Sequence, residues 1–249
     1  MSENIETGKI FVIGSGPGRK EGMTVKALNA VDKCDIVIGY SLYIDLLGDL
    51  TAGKEVIRSS MRREKDRCYH AAREAAQGKR VALVSSGDPG IYGMAGLLLQ
   101  VLEEKSQQVE IEVIPGITAA SSAAASLGAP LMNDFAAVSL SDLLTPWAEI
   151  EKRLHSAGEG DFVVVLYNPR SKKRKKQLNR AQEILLQYRA ETTPVGIVRN
   201  SERENEKKQV TTLMEMLDFE IDMSTTIIIG NSRSYQCKDK IITPRGYEL

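Results

Sequence analysis

The segment 81–96, VALVSSGDPGIYGMAG, constrains the fold of this chain more than any other. Its first four residues, Val81 through Val84, form a short apolar run of the kind that makes a strand buried on both faces. The run ends in Ser85, Ser86 and Gly87, small residues that favour turns. Asp88 then stands where a helix N-cap stands, with Pro89 at the first helical position, so a helix is expected at once. A strand that delivers a tight turn to the positive end of a helix belongs in a parallel sheet. The carboxyl edge of such a sheet is where small molecules bind. A capped turn with no ligand satisfies the same residues, and the segment alone leaves both readings open.

The same rhythm runs along the chain. Strands are expected at 9–13, 35–38, 55–58, 81–84 and 109–114, with helices from about Thr24 and at 61–77, 91–105 and 118–127. The 61–77 helix carries Glu64, Cys68, Ala72 and Ala76 down one side and stops at Gly78. Gly128, Ala129, Pro130 and the polar Asn133–Asp134 pair break the pattern. It restarts with strands at 136–140, 162–167, 195–198 and 225–229 and helices at 147–155 and 173–189. In the last helix Leu178, Ala181, Leu185 and Tyr188 share the expected buried side. Thr212 with Glu215 resembles a capping box for one more short helix. The expected fold class is α/β: two α/β domains, 1–131 and 132–249, rather than one long sheet.

Composition excludes several classes. The 33 Lys and Arg balance the 33 Asp and Glu, so no global charge calls for nucleic acid or a membrane. No apolar stretch is long enough to span a bilayer, and the opening MSENIETGK lacks the apolar core of a signal peptide, so a cytoplasmic enzyme is expected. Cys34, Cys68 and Cys237 are far apart and form no CxxC pair, so no iron–sulfur cluster and no metal site are expected.

Three glycine-rich turns are the candidate binding loops. The first, Gly14-Ser15-Gly16-Pro17-Gly18, is not a dinucleotide fingerprint, because Arg19 occupies the place of the third glycine of GxGxxG. It remains a loop that a bulky ligand can approach closely. The second is the turn at Ser86 already described. The third, Pro115-Gly116-Ile117, leads to Thr118, placed as an N-cap, and to a helix of small residues. In the second half, Tyr167-Asn168-Pro169-Arg170 ends a β-rich run and opens the basic stretch 170–176. Arg58, Arg62 and Arg63 form a second basic group suited to carboxylates. A basic run is more often a solvated loop. RNA binding is disfavoured by the lack of aromatic interleaving and of net positive charge. His70 and His155 read as structural or exposed. No GxSxG, Walker or HExxH motif is present. Chemistry that needs mostly positioning, such as methyl transfer from an already activated sulfonium donor, fits such a chain.

GSGPG at 14–18, SSGDPGIYGMAG at 85–96 and VIPGITAA at 113–120 resemble the tetrapyrrole methylase family. SLSDLLTPW at 139–147, LYNPRSKKR at 166–174 and ITPRGYEL at 242–249 resemble its C17-methylating branch in cobalamin biosynthesis. The resemblance covers essentially the whole chain. It implies a homodimer of two-domain subunits with S-adenosyl-L-methionine in a cleft between the domains. The implied cofactor contacts are Pro17, Ser86, Gly87, Asp88, Ile91, Thr118 and Ala119, then Asn168, Gly196, Ile197, Thr225 and Thr226.

The implied reaction is methylation of C17 of precorrin-3B or cobalt-factor III with ring contraction, with methylation at C11 or C20 as the alternative. The resemblance is nearer to the oxygen-independent enzymes of this branch, which implies cobalt-factor III. The implied substrate contacts are Arg58, Arg62, Arg63, Ser139, Arg170 and Lys172, which suit a polycarboxylate. Methylating an electron-rich macrocycle needs no strong base, whereas contraction needs proton movement, for which Ser15, Ser86, Asp142 and Tyr167 are the candidates. Any cobalt is expected to arrive inside the substrate. Neither nucleic acid nor membrane is an expected partner.

Overall fold

A computed structural model describes residues 8–172 and 174–248. Met1–Thr7, Lys173 and Leu249, which the sequence reading touched, lie outside the described residues. The chain divides into two compact units, Met1–Ala119 and Ala120–Leu249. The division falls before the helix of small residues, not at 131/132, because that helix packs on the second sheet.

Unit 1 comprises β1 (Lys9–Gly14), α1 (Val25–Lys33), β2 (Ile36–Tyr40), α2 (Ser41–Leu47), β3 (Glu55–Ser59), α3 (Glu64–Ala76), β4 (Arg80–Ser85), α4 (Ala95–Glu104) and β5 (Glu110–Ile114). The strands form one parallel sheet in the order β3-β2-β4-β1-β5. The central strands are apolar on both faces because both faces are covered. Ile10, Val12, Val81 and Leu83 pack under α3 and α4, while Phe11, Ile13, Ala82 and Val84 pack under α1 and α2.

This layering fixes where the sheet opens. From β1 the chain travels through α1 towards one edge, and from β4 it travels through α4 towards the other. Right-handed crossovers in opposite directions require opposite faces. β1 and β4 are neighbours, so the carboxyl ends of this pair form a topological switch point, the standard crevice of an open α/β sheet.

Unit 2 begins with α5 (Ala119–Leu127, whose first residue closes unit 1) and β6 (Gly128–Ala129). It continues through β7 (Phe135–Ser139), α6 (Trp147–Glu159), β8 (Val163–Tyr167), α7 (Lys176–Leu185), β9 (Pro194–Arg199), β10 (Lys207–Thr212) and β11 (Thr225–Ile229). The last elements are β12 (Tyr235–Cys237) and β13 (Lys240–Ile242). Its main sheet runs β10-β9-β11-β8-β7, parallel only between β7 and β8. Helices α6 and α7 cover one face. Ala120, Ala123 and Leu127 of α5 cover the other, against Val163, Val165, Val198 and Ile228. A Cβ on Gly196 would lie 2.2 Å from Leu127, so this glycine admits the helix. A small sheet, β12-β13-β6, completes the unit.

Several local expectations are corrected. Asp88 is not an N-cap and Pro89 does not start a helix, since α4 begins only at Ala95, after an irregular loop. The exposed face of α3 includes Ala76, and its buried face runs through Arg67, Cys68, Ala71, Ala72, Glu74 and Ala75. Tyr188 lies beyond α7 and is exposed. Thr212 and Glu215 do bond, with the Glu215 N–H donating to Thr212 Oγ1 at 3.3 Å, but they precede a single 3₁₀ turn, Met216–Asp218. Thr24 does cap α1, accepting from the Ala27 N–H at 3.1 Å.

Candidate active site

The three turns nominated from sequence meet at the switch point. β1 and β4 continue past their ends, where the Ser15 N–H donates to Ser85 O at 2.9 Å. Gly16 and Gly87 then exchange two hydrogen bonds, at 3.1 and 2.7 Å. Both glycines have positive φ, 70° and 65°, which a side chain would resist. On the other side of β1, the Gly116 backbone lies so close that a Cβ there would sit 2.2 Å from Gly87 O. A Cβ on Gly14 would lie 2.6 Å from both Gly116 N and Gly87 O. Gly14, Gly87 and Gly116 therefore pack backbone against backbone, leaving a floor without side chains at the sheet edge.

Asp88 locks this floor. Its Oδ1 accepts from the Gly90 N–H at 2.8 Å, closing its own turn. Its Oδ2 accepts from the Gly116 N–H at 3.1 Å, tying the β5 turn to the β4 turn. The carboxylate that reads as a helix cap in sequence is thus a cross-loop tie. Pro17 and Gly87 are buried, and Ser86, Asp88, Thr118 and Ala119 are half-buried around the floor. Ile91, Tyr92 and Ile117 are exposed apolar side chains on the same turns. Ser15 is buried, at 5 % exposure.

A cavity of about 130 Å³ adjoins these turns, lined among others by Ser85, Ser86, Tyr92 and Met94. Tyr92 holds a left-handed φ of 54°, the kind of backbone strain that clusters at ligand sites. At the cavity wall stands Arg67, only 4 % exposed, which the sequence reading passed over. A signal for it existed: Arg67, Ala71 and Ala75 share a helical stripe at i, i+4, i+8, an arginine on an apolar face. The nominated Arg58, Arg62 and Arg63 are exposed, and two of them are held by surface carboxylates, Arg58 by Asp45 and Arg63 by Asp66.

In unit 2 a second cluster forms at the carboxyl ends of β7 and β8. Asn168, left-handed at φ 50°, donates from Nδ2 to Ser139 Oγ at 3.0 Å. Arg174, buried at 7 % exposure, donates to Asn168 O at 2.7 Å and to Ser141 Oγ at 3.1 Å. Part of the basic run therefore turns inward as a loop clamp instead of forming a solvated helix start, and α7 begins only at Lys176. Arg170 is half-buried with its Nε unpartnered, and Lys172 is exposed. Tyr167 Oη accepts from the Ala120 N–H at 3.0 Å in the first turn of α5. Asp142 is exposed and accepts from Gln177 at 2.7 Å.

Gly196 and Ile197 take core positions instead. Both are paired in the middle of β9 between β10 and β11, with Leu127 filling the space over Gly196 and the Ile197 side chain under α6 and α7. Thr225 and Thr226 are buried at the start of β11, and Thr225 Oγ1 donates to Asp222 Oδ1 at 3.1 Å.

Known proteins resemble this chain in sequence and fold. A cobalt-factor III methyltransferase of Priestia megaterium is 48 % identical over 97 % of this chain, which spans 45 % of that protein. The chain thus spans about half of that longer relative. A probable cobalt-factor III C(17)-methyltransferase of Salmonella typhimurium is 49 % identical over 96 % of this chain and 100 % of its own length. A precorrin-3B C(17)-methyltransferase of a Sinorhizobium species is 38 % identical over 97 % of this chain and 98 % of its own.

The crystal structure of the methyltransferase CobJ superposes with a TM-score of 0.90 at 37 % identity, covering 95 % of this chain and 100 % of that one. A Thermus thermophilus uroporphyrin-III C-methyltransferase, complexed with S-adenosyl homocysteine, shares the fold at a TM-score of 0.70 and 23 % identity, over 90 % of this chain and 97 % of that one. The model of the Tetrapyrrole (Corrin/Porphyrin) Methylases matches residues 9–217. The chain belongs to the tetrapyrrole methylase family.

Proposed function

We propose that this protein methylates C17 of cobalt-factor III or precorrin-3B with S-adenosyl-L-methionine and promotes ring contraction, giving cobalt-precorrin-4 or precorrin-4. The observation that carries the reading is the glycine floor at the β1/β4 switch point, in a chain alike over nearly its whole length to C17-methyltransferases. Higher identity to the cobalt-factor III relatives, 49 % against 38 %, favours the cobalt substrate.

The residues present fit the cofactor. Gly14, Gly87 and Gly116 keep side chains off the floor, so a bulky ligand can approach its backbone, and Ile91 and Ile117 offer apolar surface beside it. S-adenosyl-L-methionine supplies a methyl group already activated on a sulfonium. The chain's own task is then to position the acceptor and exclude water. Asp88 serves by fixing Gly116 rather than by bonding the ligand itself. Ser139, Arg170 and Lys172 form the polar and cationic set for the substrate's carboxylates in unit 2, beside Asn168, which we assign to the cofactor. Of the four candidates for proton movement, Ser86 opens into the cavity and is the one we put forward. We further propose a cytoplasmic homodimer. Among the described residues, no helix is long and apolar enough to cross a membrane.

Turnover tests the reading. The protein is incubated with S-adenosyl-L-methionine and either cobalt-factor III or precorrin-3B, and the product is read by mass and absorbance. One added methyl group with the contracted-ring spectrum is expected. Methylation mapped to C11 or C20 would replace C17 with the alternative site.

A further inference from the structure

Arg67 is the only buried arginine or lysine of unit 1 among the described residues. A buried guanidinium is costly unless its charge and its donors are matched. Its five N–H groups are incompletely served. Nη1 donates to Ser59 Oγ at 2.7 Å and to Ser60 O at 3.1 Å. Nη2 donates once, to Glu64 Oε1 at 3.1 Å. Nε meets only the Met94 thioether at 3.3 Å, a weak acceptor. These contacts leave one Nη2 proton without an acceptor and the Nε proton on sulfur.

The counter-ion is also weak. Among the described residues Glu64 is the one carboxylate on Arg67, and its side chain is 46 % exposed against 5 % for the arginine. An exposed carboxylate is well solvated when it lets go, so it exchanges readily. Arg67 and Glu64 line the cavity together with Tyr40, Tyr43, Tyr92 and Met94. At about 130 Å³ the cavity is below the size that encloses a whole ligand, but it suits a short side arm. It adjoins Ser85 and Ser86, at the edge of the glycine floor.

We propose that Arg67 binds one carboxylate arm of the tetrapyrrole, with that arm replacing Glu64 on the guanidinium, and so orients the macrocycle beside the glycine floor. The inference rests on the methyltransferase reading above and adds to it the residue that holds an arm in unit 1. Planar guanidinium and planar carboxylate pair in a bidentate fashion, which fixes direction as well as position.

The test uses the full chain with cobalt-factor III, titrated by absorbance in the presence of saturating S-adenosylhomocysteine. Affinity for S-adenosylhomocysteine is measured separately by calorimetry. Glu64→Gln removes the competing charge at an exposed position and is expected to tighten cobalt-factor III binding a few-fold. Arg67→Lys loses the planar fork and is expected to weaken it about tenfold or more, with S-adenosylhomocysteine affinity unchanged in both variants. An unchanged or weaker substrate affinity in Glu64→Gln overturns the proposal, even if Arg67→Lys fails to fold. If unaltered protein binds neither compound, the methyltransferase reading itself falls. If it binds both and Glu64→Gln changes nothing, only the role of Arg67 falls.

Discussion

Gly116→Ala is the sharpest test of the glycine floor. The added Cβ would stand 2.2 Å from Gly87 O and 2.7 Å from Gly14 O, where ordinary contact begins at 3.4 Å. The difference, 3.4 − 2.2, requires a retreat of about 1.2 Å between the β5 turn and the ends of β4 and β1. Both obstacles are backbone atoms at strand ends, so neither can swing aside as a side chain would. The Gly116 N–H now lies 3.1 Å from Asp88 Oδ2, and a shift of that size breaks the bond.

Losing a hydrogen bond to a charged acceptor costs about 1.5–3 kcal/mol, and overpacking costs about 1–3 kcal/mol. The turn is half-exposed and can yield, so the sum should fall near the lower ends, about 2.5–4 kcal/mol. Urea unfolding measures the stability loss, and calorimetry with S-adenosylhomocysteine measures the damage to the floor. The expected drop in affinity is tenfold or more. Gly96→Ala is the internal control. It sits in the first turn of α4 with nothing within 4 Å of its Cβ, so it should add up to about 1 kcal/mol of stability through helix propensity. Equal stability and equal affinity in Gly116→Ala would refute the close-packed floor.

Asp88→Asn keeps an acceptor for Gly90 but turns an amide N–H₂ towards the Gly116 N–H. Its S-adenosylhomocysteine affinity should fall towards that of Asp88→Ala, while Arg63→Ala should leave calorimetric affinity intact; the reverse order would defeat the cross-loop role. Glu112 on β5 is held at about 2, well below its ordinary 4.5, by hydrogen bonds first from Lys26 and then from Lys9. A depressed carboxyl pKa stabilises the fold above 4.5 and loses that contribution as pH falls through about 2. Urea melts of Glu112→Gln should therefore show lower stability at neutral pH and a flatter curve across that acid window, and a curve parallel to the parent would contradict the assignment. Burial pushes the Cys34 thiol up to about 12 and the Cys68 thiol to about 11. A thiol reagent at pH 8 should label only exposed Cys237 in the native protein and all 3 cysteines in denaturant, and rapid native labelling of Cys34 or Cys68 would count against the packed core.

The legible parts of the fold were those with a strong period. The apolar runs at β1, β2, β4, β8 and β11 are strands because each is buried on both faces, and such runs are visible without partners. Helix α2, SLYIDLL, was missed because seven residues carry less than two turns of pattern. Strand β10, KKQVTT, was missed because it is an edge strand whose exposed side is polar, and β6, β12 and β13 are too short to show alternation. The face of α3 was misplaced because alanines mark no side by themselves. Arg67 carries a local signal only in its i, i+4, i+8 stripe with Ala71 and Ala75, against which its charge argues for exposure.

The sequence by itself determined the alternation of strands and helices and the three small-residue turns, because burial periodicity and turn chemistry are local. It also carried the family motifs. Only the tertiary structure decided what those motifs do. Asp88 has the sequence signature of a cap, but its second acceptor site is filled from 28 residues away, across two strands. The resemblance implies Gly196 as a cofactor contact, and only the fold shows that Leu127 of the helix at the start of the same unit packs over it. Arg174 belongs to a basic run by composition and to a buried clamp by position. In each case the deciding partner is distant in sequence, and its proximity exists only once the sheets are assembled.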